Sequence, residues 1–149
     1  MSKSTRLSAS LEDYIEAIYN IAEEKQKARS KDIAASLNVS GASVTEALRS
    51  LSAKGLINYA PYEAITLTEK GRHVAKDVVH RHNALKQFFI DVLGVPDDIA
   101  EDGACRVEHA APQKIIDQMI NFINYLESCK DNSKELVEGF IAFSSKKNT

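Results

Sequence analysis

The sequence predicts a mainly helical chain in two halves: three helices and a small β-hairpin, then an all-helical remainder. Three observations lead there. Apolar residues recur at helical spacing over most of the length. Between residues 56 and 67 the pattern changes to short stretches rich in β-branched residues. Glycine, proline and polar runs fall where helices must stop. With 149 residues, the chain can bury one core or two small ones.

Residues 1–9 read as a polar arm. Ser10 is placed to cap the first helix, with Asp13 three residues on in the capping-box position. Leu11, Tyr14, Ile15, Ile18, Tyr19 and Ala22 line its apolar face, and the polar run 23–27 ends it. A second helix over 31–37 turns Ile33, Ala34 and Leu37 inward. Asn38-Val39-Ser40-Gly41 makes the turn into a third helix over about 42–54, which buries Val44, Leu48 and Leu51. Gly55 suits a left-handed C-terminal cap. Residues 56–59 and 64–67 form a hairpin around Ala60-Pro61-Tyr62-Glu63.

Thr68 then caps a long helix over about 69–93, with Val74, Val78, Leu85, Phe88, Phe89 and Val92 apolar, and the segment 94–98 breaks it. A helix over 99–111 follows. Pro112 opens another, whose buried stripe is Ile115, Ile116, Met119, Ile120, Ile123 and Leu126. Residues 128–133 read as a loop and 136–143 as a last short helix. The natural division lies inside the long helix, giving domains 1–75 and 76–149.

Helix, turn, helix and hairpin in this order make a winged helix-turn-helix, a DNA-binding arrangement, followed by an all-helical half. The third helix turns Ser40, Ala42, Ser43, Thr45, Glu46 and Arg49 outward. Short hydroxyls at a helix N-terminus suit phosphates and base edges, and Arg29, Lys31, Arg49 and Lys54 suit phosphates. The same fold also serves protein contact alone, and that alternative stands. Net charge is −2, which is not the strongly basic balance of many DNA binders. Residues 1–75 carry ten basic and nine acidic side chains, and 76–149 carry nine and twelve. Divalent cations bound to acidic sites would make the protein more positive, so a metal-loaded form should bind nucleic acid better.

Cys105, Glu108 and His109 stand at i, i+3 and i+4, on one helical face. Thiolate, carboxylate and imidazole together suit a transition metal, not calcium. Asp13 and Glu16 form an i, i+3 carboxylate pair on the first helix, and His82 faces out of the long helix's apolar stripe. Each has a plain structural reading as well: a solvated helix face or cap for Asp13 and Glu16, a small core residue for Cys105, a surface residue for His82. His73 and His80 read as surface residues and Cys129 as structural. Two cysteines are too few for a disulfide framework. The polar N-terminus lacks an apolar signal core, and no stretch approaches a membrane span. A cytoplasmic location with no membrane partner is expected.

Across residues 8–126 the sequence resembles the iron-dependent repressors of the diphtheria toxin repressor family, including the shorter manganese transport regulators. The resemblance rests on Glu12-Asp13-Tyr14-Ile15-Glu16-Ala17-Ile18-Tyr19, the helix-turn-helix, Leu67-Thr68-Glu69-Lys70-Gly71, His80-Arg81-His82 and Ala104-Cys105-Arg106-Val107-Glu108-His109. It implies the short two-domain form, a homodimer built by the C-terminal helices, and operator DNA as partner. It also implies metal ligands at Asp13, Glu16, His82, Cys105, Glu108 and His109.

Asp13 and Glu16 are similar to the manganese regulators; the iron branch usually has Met in place of Asp13. Cys105 is similar to the iron branch; the manganese regulators carry Glu there. Lys86 and Glu101 replace a carboxylate and a histidine of the iron branch's second site. Expected cofactors are Fe(II) or Mn(II), with the thiolate tilting toward Fe(II), and Zn(II) or Co(II) able to bind in vitro. Metal bridging the two halves would set the spacing of paired recognition helices for half-sites about one DNA turn apart. A repressor of metal-uptake genes, not an enzyme, is the resulting expectation. The rivals are a winged-helix sensor of a small ligand or redox state, a metalloenzyme, and a protein-interaction module.

Overall fold

The computed structural model describes residues 6–129 and 132–147. The order is α1 (Ala9–Lys25), α2 (Ser30–Leu37), α3 (Gly41–Ala53), β1 (Ile57–Asn58), β2 (Thr66–Leu67), α4 (Glu69–Asp91), α5 (Asp97–Val107), α6 (Gln113–Ser128) and α7 (Asn132–Lys147). This is the mainly helical, winged helix-turn-helix architecture that the sequence predicts. The chain separates into two compact units, dividing between Val79 and His80.

In the first unit, α1 starts earlier than the sequence suggests. Its cap is Ser8, whose hydroxyl accepts from the Leu11 N–H, and not Ser10. Asp13 therefore sits in the second turn, beyond the capping-box position. Residues 1–5 of the expected polar arm lie outside the described residues. α1 packs on α2, α3 and β2, and α3 packs on β1. The core is Ile15, Ile18, Ile33, Val44, Leu48, Leu51, Leu56, Ile57 and Ile65, joined by Ala75 and Val78 from α4. Burying each such aliphatic side chain contributes roughly 1.5–3 kcal/mol.

The helix-turn-helix turn depends on Asn38, which takes a left-handed conformation (φ 52°) that asparagine tolerates better than most residues. Val39, half-buried, then packs against the core. Gly55 adopts φ 71° as the left-handed residue after α3. The Gly55 N–H donates to Ser52 O and the Leu56 N–H to Leu51 O, closing the helix end. β1 and β2 pair antiparallel with Ile57 opposite Leu67 and Asn58 opposite Thr66. Ala28 adds an isolated bridge to Ile65, a third short rung absent from the sequence reading.

Thr68 opens α4: its hydroxyl accepts from the Gly71 N–H at 3.0 Å and donates to Gly55 O at 2.7 Å. Gly71 is required there, since a Cβ would lie 1.7 Å from Leu56 O.

The second unit comprises the rest of α4 with α5, α6 and α7. Leu85, Ala104 and Ile116 form its buried cluster, flanked by Phe89, Ala111, Met119 and Ile120. Pro96 and Pro112 precede α5 and α6, in positions where a missing N–H costs nothing. α7 is twice the length expected from its apolar pattern, because its polar flanks are helical too. Residues 130 and 131 of the expected 128–133 loop lie outside the described residues; residue 128 closes α6 and 132 opens α7.

Candidate metal centre

The last turn of α5 and the middle of α4 place four of the six expected metal ligands in the second unit. His82 comes from α4 and is 8% exposed. Sequence alone leaves a surface reading open for it, and burial removes that reading. Cys105 lies exposed on α5. Glu108 is the C-cap of α5 and is 1% exposed. His109 follows directly.

Glu108 holds the group together. Its Oε2 lies 2.7 Å from His82 Nδ1, and its Oε1 lies 2.9 Å from His109 Nε2. Its backbone oxygen accepts from Arg81 Nη1 at 3.3 Å. A buried carboxylate is tolerated only when paired and hydrogen-bonded; His82 supplies the hydrogen bond here, and His109 stands within ion-pair distance. The C-terminal end of α5 carries partial negative charge on its last carbonyls, which favours cationic groups at this point.

His82 Nε2 faces Glu101 Oε1 at 2.9 Å. Both ring nitrogens therefore meet a carboxylate oxygen. A neutral ring donates to one of them and an imidazolium to both. Cys105 Sγ lies 3.9 Å from His82 Nδ1 and 4.0 Å from Glu101 Oε1. Lys86 Nζ sits 2.9 Å from Glu101 Oε2. The hydrogen bond from Lys86 holds the Glu101 carboxyl below its ordinary value, and the same bond raises Lys86 above its own.

Glu101 and Arg81 are the residues sequence reasoning missed as partners. The signal for Glu101 was present: 101, 105 and 108 are spaced i, i+4, i+7, one stripe of α5. Arg81 left no comparable signal, because burial of an arginine depends on where a distant carbonyl ends up.

In the first unit, Asp13 is exposed and Glu16 half-buried, one turn apart on α1. Their neighbour Glu12, unremarked in the sequence, is the buried carboxylate (2% exposed), with Arg6 Nε 3.1 Å from its Oε1. The expected DNA-contact residues lie on α2, α3 and their caps. Arg29, Lys31, Ser40, Ala42, Ser43 and Arg49 are exposed, and Thr45 is half-buried. The Ser40 hydroxyl is engaged locally, accepting from the Ser43 N–H at 3.2 Å and donating to Ser43 Oγ at 3.0 Å. The Thr45 hydroxyl donates to Gly41 O at 3.0 Å.

The wing adds a residue the sequence did not single out. Tyr62 is fully exposed and holds φ 65°, a left-handed conformation costly for a tyrosine.

A DNA-binding fold joined to a His, Cys and carboxylate cluster defines a metal-responsive regulator, and comparison with known proteins gives the family. Residues 6–65 match the iron dependent repressor N-terminal DNA binding domain, and residues 68–136 match the iron dependent repressor metal binding and dimerisation domain. The chain belongs to the iron-dependent repressor family of metal-dependent transcriptional regulators.

It is 35% identical over 127 residues to the HTH-type transcriptional regulator MntR of Bacillus subtilis, covering 85% of this chain and 89% of that one. It is 36% identical over 126 residues to an uncharacterised HTH-type transcriptional regulator of Methanocaldococcus jannaschii, covering 84% of this chain and 98% of that one. Among solved structures it is similar to a manganese-dependent transcriptional repressor in complex with manganese, with TM-score 0.70 and 30% identity. That match covers 77% of this chain and 53% of that one. It is also similar to the manganese regulator SloR, with TM-score 0.67 and 27% identity over 77% of this chain and 54% of that one. The chain thus spans about half the length of these solved structures. Among the described residues, no helix is long and apolar enough to cross a membrane.

Proposed function

We propose that the protein represses metal-uptake genes when Fe(II) or Mn(II) is bound, acting as a homodimer on operator DNA in the cytoplasm. The observation that carries this is Glu108 set between His82 and His109, with Cys105 beside His82, in a chain whose other unit is a winged helix-turn-helix. Thiolate, imidazole and carboxylate donors fit a first-row transition ion, and Zn(II) or Co(II) would also be held in vitro. The family resemblance adds Asp13 and Glu16 of α1 to the ligand set. The bound ion supplies positive charge and directional bonds. Ligands drawn from both units make metal affinity and DNA affinity reciprocally linked.

The chain's own residues do the rest. The α3 N-terminus, with Ala42, Ser43 and Thr45 in its first turns behind the Ser40 cap, presents N–H groups and small side chains to a groove. Arg29, Lys31 and Arg49 neutralise phosphates. Exposed Ile115 and Tyr125 on α6 and Leu136, Phe140 and Phe143 on α7 supply apolar surface that a second copy would cover.

Sequencing genomic fragments retained by the protein under anaerobic conditions tests this reading. Fragments upstream of metal-transporter genes should be enriched with Fe(II) or Mn(II) and lost with chelator. Equal enrichment with and without chelator would favour a sensor of another signal, and no enrichment would remove the DNA-binding reading.

A further inference from the structure

Within the second unit, the end of α4, the last turns of α6 and the first turns of α7 enclose a cavity of about 330 Å³. Its origin lies in how α7 is seated. Gly94 takes φ 68°, and a Cβ there would come within 2.7 Å of Ile141 Cγ1. Ile141 is thus held against the turn after α4. One helical turn earlier, Val137 lines the cavity. α7 therefore closes on that turn through Ile141 and leaves open space beneath Val137.

Val92, Ile123, Leu126 and Val137 give the cavity aliphatic walls. Ile123 and Leu126 are buried and the two valines half-buried. Asp91, Glu127 and Glu138 also line the cavity and are exposed, so their carboxylates stand at its mouth. Lys134 is the one basic side chain lining it among the described residues; it is 83% exposed, with Nζ 4.0 Å from Glu138 Oε1. Three acidic groups against one basic group leave the mouth negative. The match to the metal binding and dimerisation domain ends at residue 136, so Val137 and Glu138 lie beyond it.

Aliphatic walls offer water no hydrogen-bonding partner, and hydrocarbon fills such space favourably. The volume stands at the lower end of ordinary small-ligand sites, roughly 300–1,000 Å³. A bare divalent cation would use the carboxylates and none of the walls. A fatty acid would use the walls and be repelled at the mouth. Charge and shape together select a cation with an aliphatic body.

We propose that this cavity binds a small organic cation of the alkylammonium class, its chain against Val92, Ile123, Leu126 and Val137 and its charged head at Asp91, Glu127 and Glu138. The site goes beyond the metal-sensing reading and does not depend on it.

Methyl-selective NMR titration of the full chain with hexyltrimethylammonium tests this, with tetramethylammonium and hexanoate as comparison ligands. The methyl signals of Val92, Ile123, Leu126 and Val137 should shift saturably with hexyltrimethylammonium. Tetramethylammonium lacks the chain and should bind at least about tenfold more weakly. Hexanoate carries the opposite charge and should bind at least about fivefold more weakly. Glu127→Gln combined with Glu138→Gln should weaken hexyltrimethylammonium binding by about two- to tenfold and leave hexanoate binding no weaker. Val137→Phe fills the space and should abolish the shifts while helical content holds. If Val137→Phe fails to fold, the two glutamines, at exposed positions, decide instead. No saturable shift overturns the proposal, as does unchanged affinity in the double glutamine variant. Affinity for hexanoate or tetramethylammonium equal to that for hexyltrimethylammonium also overturns it. DNA binding indifferent to metal would overturn the functional reading and leave this site standing.

Discussion

Glu108 Oε2 lies 2.7 Å from His82 Nδ1, and the carboxylate that makes this contact is almost completely buried. The pair joins the last turn of α5 to α4, 26 residues apart in sequence. It fixes the imidazole before any metal arrives. Glu108→Gln keeps the shape but removes the charge that both histidines face. Metal affinity is expected to fall at least about tenfold. Thermal stability in chelator is expected to change by no more than about 1–3 kcal/mol. Calorimetric metal titration and a melt with chelator read the two effects separately, and unchanged affinity would remove Glu108 from the centre.

Gly71 lets the first turn of α4 rest against the Leu56 carbonyl. In Gly71→Ala the new Cβ meets backbone, which cannot swing aside as a side chain can. We expect a loss of about 1–3 kcal/mol in denaturant unfolding, or more if the wing detaches. A variant as stable as the wild type would contradict the close approach of α4 to the Leu56 carbonyl.

Tyr62 occupies a left-handed turn position with its ring in solvent. Replacing it with glycine should relieve roughly 1 kcal/mol of backbone strain, partly offset by the added freedom of the unfolded chain. If the ring contacts DNA, Tyr62→Gly is expected to weaken metal-dependent operator binding while the melting temperature holds or rises. Unchanged operator affinity would leave the tyrosine without a DNA role.

Ile115 and Tyr125 expose apolar surface on α6 while Ile116, Ile123 and Leu126 fill its inner face. The double substitution Ile115→Glu with Tyr125→Glu is expected to leave helical content intact and to produce monomers by light scattering. Dimers persisting in that variant would move the interface away from this face of α6.

The helices were legible in the sequence because their determinants are local. The apolar spacing of α1, α3 and α6, the Thr68 cap and the left-handed Gly55 are all set within a few residues. The start of α1 differs from the Ser10 cap expected from the sequence, because the Ser8 hydroxyl is the one that accepts from the Leu11 N–H. The Ala28–Ile65 bridge was invisible, as it pairs residues 37 apart through backbone alone. Cys105, Glu108 and His109 were found by spacing on one helix. Glu101 shares their stripe, but its contacts with His82 and Lys86 reach it from another helix and leave no local signal. The burial of Glu12 and Arg81 depends on where distant groups meet, and neither residue's local pattern records it.

The most direct test of the account is fluorescence anisotropy of a labelled operator fragment, measured anaerobically for the wild type and His109→Ala with chelator, Fe(II) or Mn(II). Metal should tighten wild-type binding by about 5- to 150-fold, the usual range of allosteric coupling. His109→Ala should fold normally and bind DNA at the level seen in chelator. Full metal-stimulated binding by His109→Ala would contradict the assignment of the centre, and wild-type binding indifferent to both metals would contradict its role as a metal sensor.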